Sequence, residues 1–591
     1  MFGPQLPAPE QSGLPGFTLP VNYLPHQIYH DLPLCSHALH YPDASLKVHR
    51  EILMMRLMNT ITDKPEWDQK VFNAQITSKW CEEIAQGGED ISPRMMDYII
   101  KELQWKAKLF ETDGCINVFD IGVIKSDTAI SEDLRKALAD AVAPLENVPD
   151  DQKDYHPGSD QKVLDLVHPS LFPLVYGHTR ILRNELIGLD DCLGATGQGE
   201  VIPVPSMEKK DGWRFPDDDF YSRKFQWLPC DVKLSSTEPE PECRISSYIN
   251  NLHPTRHRDL YGIIEKVITR AIPLWNRSLN NQGIHSHRIE YTSVEYDEGN
   301  HPDPKPEQGF DEDKGDFWNR MGSWQDVMPI LKPEPAEFKS KPDEKIQIYD
   351  VFGKTGLQVI VKLANIELSP ESPEYEGGSW HIEGQLNERI CATAIYYYDS
   401  ENITESTLSF RQRIEAGVFD GFDFHYPQSD RRFLQDIYGL DPDLNSSSFH
   451  DQRVTQHLGS VVCRQGRLLT FPNVVQHRVT PFSLADKSKP GHRKILALFL
   501  VDPHLRIIST ANVPPQQEDW GKEKYDLTQG MLSQKVPPEL RNMICDEGIL
   551  QQLMSMDEAK KFRLELMKER SVNSGRQNEA FENYSFGLCE H

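Results

Sequence analysis

Within Gly377-Gly378-Ser379-Trp380-His381-Ile382-Glu383-Gly384 an imidazole and a carboxylate stand two positions apart. Such residues project to one side of an extended strand, so His381 and Glu383 can address a single ion. A second imidazole, His477, follows far downstream in the apolar stretch that begins at Gly466. Two imidazoles and one carboxylate on one face of a metal leave its opposite face open, the arrangement that non-haem Fe(II) oxygenases use. An H-x-E pair taken alone is equally at home on an ordinary surface strand. Arg493 adds to it by opening the apolar run 494–501. A guanidinium fixed at a strand start can clamp a carboxylate in bidentate fashion, and with the His/Glu set this reading outweighs that of an exposed strand-end charge.

Other motifs are weaker. His285, His287 and Glu290 resemble a cupin metal motif, without the downstream Glu spacing or a second cupin motif. Gly353-Lys354-Thr355 has Ile348 where a P-loop needs glycine, and no G-x-S-x-G elbow of a serine hydrolase occurs. Tyr248, Asn250 and Asn251 are polar groups in an expected strand; they either face a substrate or cap the helix that follows Pro254. Asn387 and Glu388, just after the H-x-E pair, are candidates to orient a metal ligand.

These residues need a frame. Apolar spacing of three and four predicts helices through 44–146, with Ser92-Pro93 and Ser131-Glu132-Asp133 as N-terminal caps and the methionines as core. Residues 148–220 are punctuated by Pro, Gly and Asp. Strands are expected at 225–229, 244–250 and 285–296, and a helix at 256–279 that Pro273 kinks or ends. An acidic tract at 297–316 and a Pro/Lys/Glu tract at 332–345 read as surface loops. From 346 to 503 short β-rich runs take over, at 357–368, 389–398, 407–411, 467–471 and 494–501, a spacing that suggests a sandwich or jelly roll. After Pro514 helical patterns return, notably 556–570, and there is no internal repeat.

The 591 residues carry 63 Lys+Arg against 90 Asp+Glu, a net charge of −27 that opposes nucleic acids and anionic membranes as partners. No apolar run approaches the roughly 18 residues of a membrane-spanning helix. Ten cysteines without a C-x-x-C pair argue for reduced, mostly structural thiols. The first 20 residues lack a basic segment followed by an apolar one, so the expected compartment is the cytoplasm and the N-x-[ST] patterns are chance matches.

Segment 357–503 resembles the double-stranded β-helix of 2-oxoglutarate/Fe(II)-dependent dioxygenases, in their prolyl-hydroxylase-like branch. The resemblance rests on His381-Ile382-Glu383, then Arg389-Ile390-Cys391-Ala392-Thr393-Ala394-Ile395-Tyr396-Tyr397, then His477-Arg478-Val479-Thr480-Pro481, then Arg493. It implies iron on His381, Glu383 and His477, with Arg493 and Tyr397 on the far carboxylate of 2-oxoglutarate and Thr393 lining the same pocket. Glu383 stands where Asp is commoner, Lys362 takes the first-strand cosubstrate-binding position where relatives often have Tyr, and an insertion at 411–453 widens the interval between the two histidines. Across about three-quarters of its length the chain also resembles an uncharacterised fungal family of unknown substrate. That second resemblance rests on Phe225-Gln226-Trp227-Leu228-Pro229, Ser247-Tyr248-Ile249-Asn250-Asn251-Leu252-His253-Pro254, Pro273-Leu274-Trp275-Asn276 and 377–388.

The expectation is an α+β protein: a mainly helical region at 1–220, a double-stranded β-helix (jelly roll) domain at 221–515 with the acidic loop 297–345, and a helical extension at 516–591. Its expected activity is oxidation of a small molecule with Fe(II), 2-oxoglutarate and O₂. The alternatives are a non-catalytic binding scaffold and a cupin-type metal enzyme built on His285 and His287.

Overall fold

The computed structural model describes residues 13–24, 44–183, 185–208, 220–235, 241–280, 287–340, 347–414, 424–426, 430–440, 455–533 and 552–583. Helices surround antiparallel sheets, as an α+β chain requires. Twelve strands position the site: β1 (Ile116–Phe119), β2 (Val123–Ser126), β3 (Val163–Val167), β4 (Cys230–Ser235), β5 (Glu242–Ile245), β6 (Leu357–Leu368), β7 (Ile390–Glu401), β8 (Thr407–Arg413), β9 (Thr455–Val462), β10 (Leu468–Pro472), β11 (Gln476–Val479) and β12 (Gly491–Val501). The large sheet runs β1-β2-β10-β7-β12-β6-β4-β5, with β3 also on β6; the small sheet runs β9-β8-β11.

Period-2 alternation sends the long strands' residues to two different cores. On β12, Ala497, Phe499 and Val501 join the inner cluster that faces the small sheet, while Leu496, Leu498 and Leu500 join an outer cluster with α3 (Glu132–Glu146) and α4 (Arg258–Ser278). Each of these outer leucines is essentially fully buried, a contribution of about 1.5–3 kcal/mol apiece. The two sheets meet through aromatic rings, Phe410 of β8 lying 5.2 Å from Phe471 of β10.

Ser92 caps α2 (Pro93–Asp113) by accepting from Met95 N, and Ser131 caps α3 by accepting from Leu134 N, as the sequence indicates. Pro273 neither ends nor replaces a turn of α4, which continues to Ser278 because Leu274 and Trp275 are wholly buried beyond it. Three expectations need correction. The stretch 44–146, expected to be helical throughout, also contributes β1 and β2 to the large sheet, and β3 joins that sheet from the mainly helical region 1–220. The strand expected at 244–250 stops at Ile245, and 287–296 makes only isolated bridges at Ser293 and Tyr296. Much of the expected 411–453 insertion lies outside the described residues.

Candidate metal centre

His381 and His477 are bound to each other through the backbone before any ion is considered. His381 N donates to His477 O at 3.1 Å and His477 N to His381 O at 3.0 Å, extending the small sheet past β11. Their rings lie 4.3 Å apart. Glu383 closes the group: its Oε1 is 3.6 Å from His381 Nε2 and 3.3 Å from His477 Nε2. Gly384 makes the turn behind it at φ +74°, where a Cβ would come within 2.7 Å of Ile390 Cδ1, so only glycine fits.

The tautomer of His381 is set by its neighbour. Nδ1 lies 2.9 Å from the Ser379 carbonyl, an acceptor only, so Nδ1 carries the proton and Nε2 presents its lone pair toward Glu383. Phe471 packs against the His477 ring at 4.6 Å. Asn473 fixes Glu383 from both sides, Oδ1 accepting from Glu383 N and Nδ2 donating to Glu383 O, each at 2.9 Å. Burial opposes a charge on Glu383, yet the two histidines hold its carboxyl well below the usual range. Burial and the neighbouring His381 push His477 down. For His381 burial works downward, and the Glu383 carboxylate overrides it to raise the imidazole. Side-chain exposure is 36 % for His381, 14 % for Glu383 and 3 % for His477, which puts the open face on the His381 side.

On the facing sheet Arg493, Tyr397, Thr393 and Lys362 all project inward, in the alternation set by Ile360 of β6, Ile395 of β7 and Ala497 and Phe499 of β12. Arg493 is buried, donates to Ser406 Oγ at 2.6 Å, and lies over the rings of Tyr397 (5.6 Å) and Phe482 (5.2 Å). Among the described residues it forms no ion pair, and its Nε has no hydrogen-bond acceptor. The Tyr397 hydroxyl accepts from Cys463 Sγ at 3.0 Å, which leaves its own O–H to donate. Thr393 Oγ1 is buried and has no hydrogen-bond partner among the described residues.

A family model described as "Protein of unknown function (DUF4246)" matches residues 93–524, and one described as "Domain of unknown function DUF4246, N-terminal" matches 14–83. The chain belongs to the DUF4246 family. No curated protein matches it. Among solved structures, the crystal structure of IDO from Bacillus thuringiensis aligns over 67 % of this chain and 97 % of its own, at 9 % identity and a TM-score of 0.19, too slight a likeness to bear on fold or function.

The remaining sequence candidates fall elsewhere. Tyr248 lies in the outer cluster and donates to Val513 O at 3.1 Å. Asn250 Nδ2 donates to the Leu171 and Phe172 carbonyls, and Asn251 Nδ2 to those of His168 and Leu171, so both amides brace the 168–172 loop; neither Asn250 nor Asn251 caps the next helix. Glu388 accepts from Trp227 N and pairs with Arg570, while Asn387 bonds Ser222 and Phe225; they tie down the Phe225–Gln226 strand, and the orienting role falls to Asn473. His285 lies outside the described residues, and His287 faces Glu51 at 3.7 Å beside the Arg288 ion-pair network.

Sequence reading missed a second group, His156, Asp165 and His168. His156 Nδ1 and Asp165 Oδ2 are 2.8 Å apart. His168 Nδ1 accepts from Ser170 N at 3.1 Å, so in the neutral ring its proton is on Nε2, which is then a donor rather than a metal ligand. Its only signal in the sequence is Asp165-x-x-His168 at a strand end.

Proposed function

We propose that the protein is a non-haem Fe(II) oxygenase that consumes 2-oxoglutarate and O₂, releases succinate and CO₂, and oxidises a small molecule, most simply by hydroxylation. The observation that carries this reading is the pairing of a converged His381/Glu383/His477 group with a buried Arg493 on the facing sheet that meets no carboxylate among the described residues. An isolated buried cation costs several kcal/mol unless an anion meets it. The far carboxylate of 2-oxoglutarate is such an anion.

The donor set fits Fe(II). Adjacent ligands held about 2.1 Å from one ion stand about 3 Å apart, so separations of 3.3 and 3.6 Å need only a small inward movement. Two imidazoles and one carboxylate suit this metal and leave positions for exogenous ligands. The connectivity supports a double-stranded β-helix. From β6 through the His381 segment, β7, β8, β9, β10, β11 and β12, the chain visits the large, small, large, small, small, large, small and large sheets.

Iron with 2-oxoglutarate and O₂ would supply the oxidising power. The chain's own work is placement. His381 and His477 offer Nε2, and Asn473 holds the Glu383 backbone. Arg493 receives the far carboxylate with the Tyr397 O–H beside it, Thr393 offers an unspent hydroxyl, and the apolar inner cluster excludes water. The test is release of CO₂ from carboxyl-labelled 2-oxoglutarate by iron-loaded protein. Release that is lost in His381→Ala and His477→Ala supports the reading; none from folded, iron-loaded parent contradicts it.

A further inference from the structure

In the antiparallel bridge between His381 and His477 both imidazoles face the metal group, so the residues on either side of them face outward. That outer face is built as closely as the inner one. The Trp380 ring is sandwiched between the guanidiniums of Arg411 on β8, at 4.8 Å, and Arg478, at 4.6 Å. Arg411 Nε donates to Gln476 Oε1 at 2.6 Å, and Gln476 is wholly buried. Ile382 lies in a buried apolar cluster with Leu386 and Phe581. All four neighbours of the two histidines are therefore engaged on the face away from the ion.

Two of the four, Gln476 and Ile382, rest on the C-terminal helix Met556–Asn583. Asn578 Oδ1 accepts from Gln476 Nε2 at 2.8 Å and from Arg411 Nη2 at 3.4 Å. One turn on, Phe581 enters the cluster of Ile382, and its carbonyl accepts from Thr455 Oγ1 of β9. A third contact falls two residues past the carboxylate ligand, where Glu569 accepts from Gln385 Nε2 at 3.2 Å. One helix thus backs all three ligand positions. Its own attachment is mixed: the buried positions are Ala559, Leu566 and Phe581 but also Arg563, Asn573 and Gln577. Ion pairs from Arg563 to Asp154, Glu565 to Lys224 and Arg570 to Glu388 add to them. An element with few buried apolar contacts opens below the free energy of global unfolding.

We propose that the C-terminal helix is a positioning element of the metal centre and that its docking is coupled to metal occupancy. Docked, it holds the backs of both ligand strands at the spacing an ion needs; released, it lets them spread. The proposal rests on the reading of His381, Glu383 and His477 as metal ligands. Such coupling is reciprocal: whatever factor the docked helix adds to metal affinity, saturating metal adds to the docking equilibrium. Losing a group that orients a ligand weakens metal affinity about 10–100-fold. Asn578 acts through Gln476 and Arg411, so the lower end of that range applies to it.

Two measurements on the metal-free full chain test the coupling: calorimetric titration with Mn(II), and hydrogen exchange of residues 571–581 with and without saturating Mn(II). Asn578→Ala should weaken Mn(II) binding about tenfold, and Asn578→Asp, which keeps both accepted hydrogen bonds, should restore it. Glu565→Gln gives up an exposed ion pair about 20 Å along the helix from Asn578 and should stay within about twofold of the parent. In the parent, Mn(II) should slow exchange of the helix about tenfold, an effect absent in His477→Ala. A contact that serves folding alone would lower the stability of Asn578→Ala and move neither readout. Mn(II) binding by folded Asn578→Ala within about threefold of the parent, helix exchange indifferent to Mn(II) in a parent that binds it, or slowing that survives His477→Ala overturns the coupling and leaves the metal reading standing. A parent that binds no Mn(II) overturns the metal reading and the coupling with it. The exchange measurement needs no Asn578 variant, so poor folding of Asn578→Ala does not spare the proposal.

Discussion

Arg493→Met separates binding from folding. The variant gives up a charge-assisted bond to Ser406, worth about 1.5–3 kcal/mol, and two cation–π contacts with Tyr397 and Phe482, about 0.5–2 kcal/mol each. It also relieves the desolvation of a guanidinium that meets no carboxylate among the described residues, a cost of several kcal/mol. Methionine fills much of the arginine stem's volume between the two rings. The opposing contributions nearly cancel, so unfolding stability in urea should change by about 1 kcal/mol or less. Cosubstrate binding has no such compensation. Losing the partner of a buried carboxylate costs about 3 kcal/mol, or about 100-fold in affinity. The assay is calorimetric titration of 2-oxoglutarate into Mn(II)-loaded protein, which binds without turning over. An affinity within threefold of the parent would refute the role given to Arg493. A loss of several kcal/mol of stability would refute the claim that its charge is unspent in folding.

Asn473→Ala removes the bonds to Glu383 N, Glu383 O and Ile390 O, and should weaken metal affinity about 10–100-fold with a stability loss of about 2–3 kcal/mol, read by metal titration and urea unfolding. Glu102 is buried, which opposes its ionisation, but Arg288 and Lys106 hold its carboxyl down at about 2. Its folded-state pKa lies below its ordinary value, so its stabilisation is complete above about pH 4.5 and is lost as pH falls toward 2. Over that window the Glu102→Gln variant should lose about 2–3 kcal/mol less than the parent, a difference measurable by urea unfolding at each pH. His285→Ala/His287→Ala should leave metal stoichiometry at the His381 site unchanged in elemental analysis; a lost equivalent would favour the cupin-type alternative.

What was legible in the sequence is what repeats at short range. The five β-rich runs became β6, β7, β8, β10 and β12 because alternating apolar residues fix both strand and face. The H-x-E pair and His477 could be joined because each offers a ligand by residue type alone. What stayed hidden depends on distant partners. β1 and β2 have four residues each, sit within a helical stretch, and become strands only by adding to the edge beyond β10. Asn473 reads as a loop residue until the turn after β10 brings it against Glu383. The C-terminal helix Met556–Asn583 runs on past the expected 556–570 because polar contacts, among them Asn578 with Gln476 and Arg570 with Glu388, help seat it.

The central claim is that His381, Glu383 and His477 hold iron with 2-oxoglutarate bound beside it. The most direct measurement is an anaerobic titration of metal-free protein with Fe(II) and then 2-oxoglutarate, followed through the visible metal-to-ligand charge-transfer band. A band that appears in the parent, vanishes in His477→Ala and needs about 100-fold more cosubstrate in Arg493→Met is the predicted result. Folded parent that binds iron and never develops the band would contradict the account.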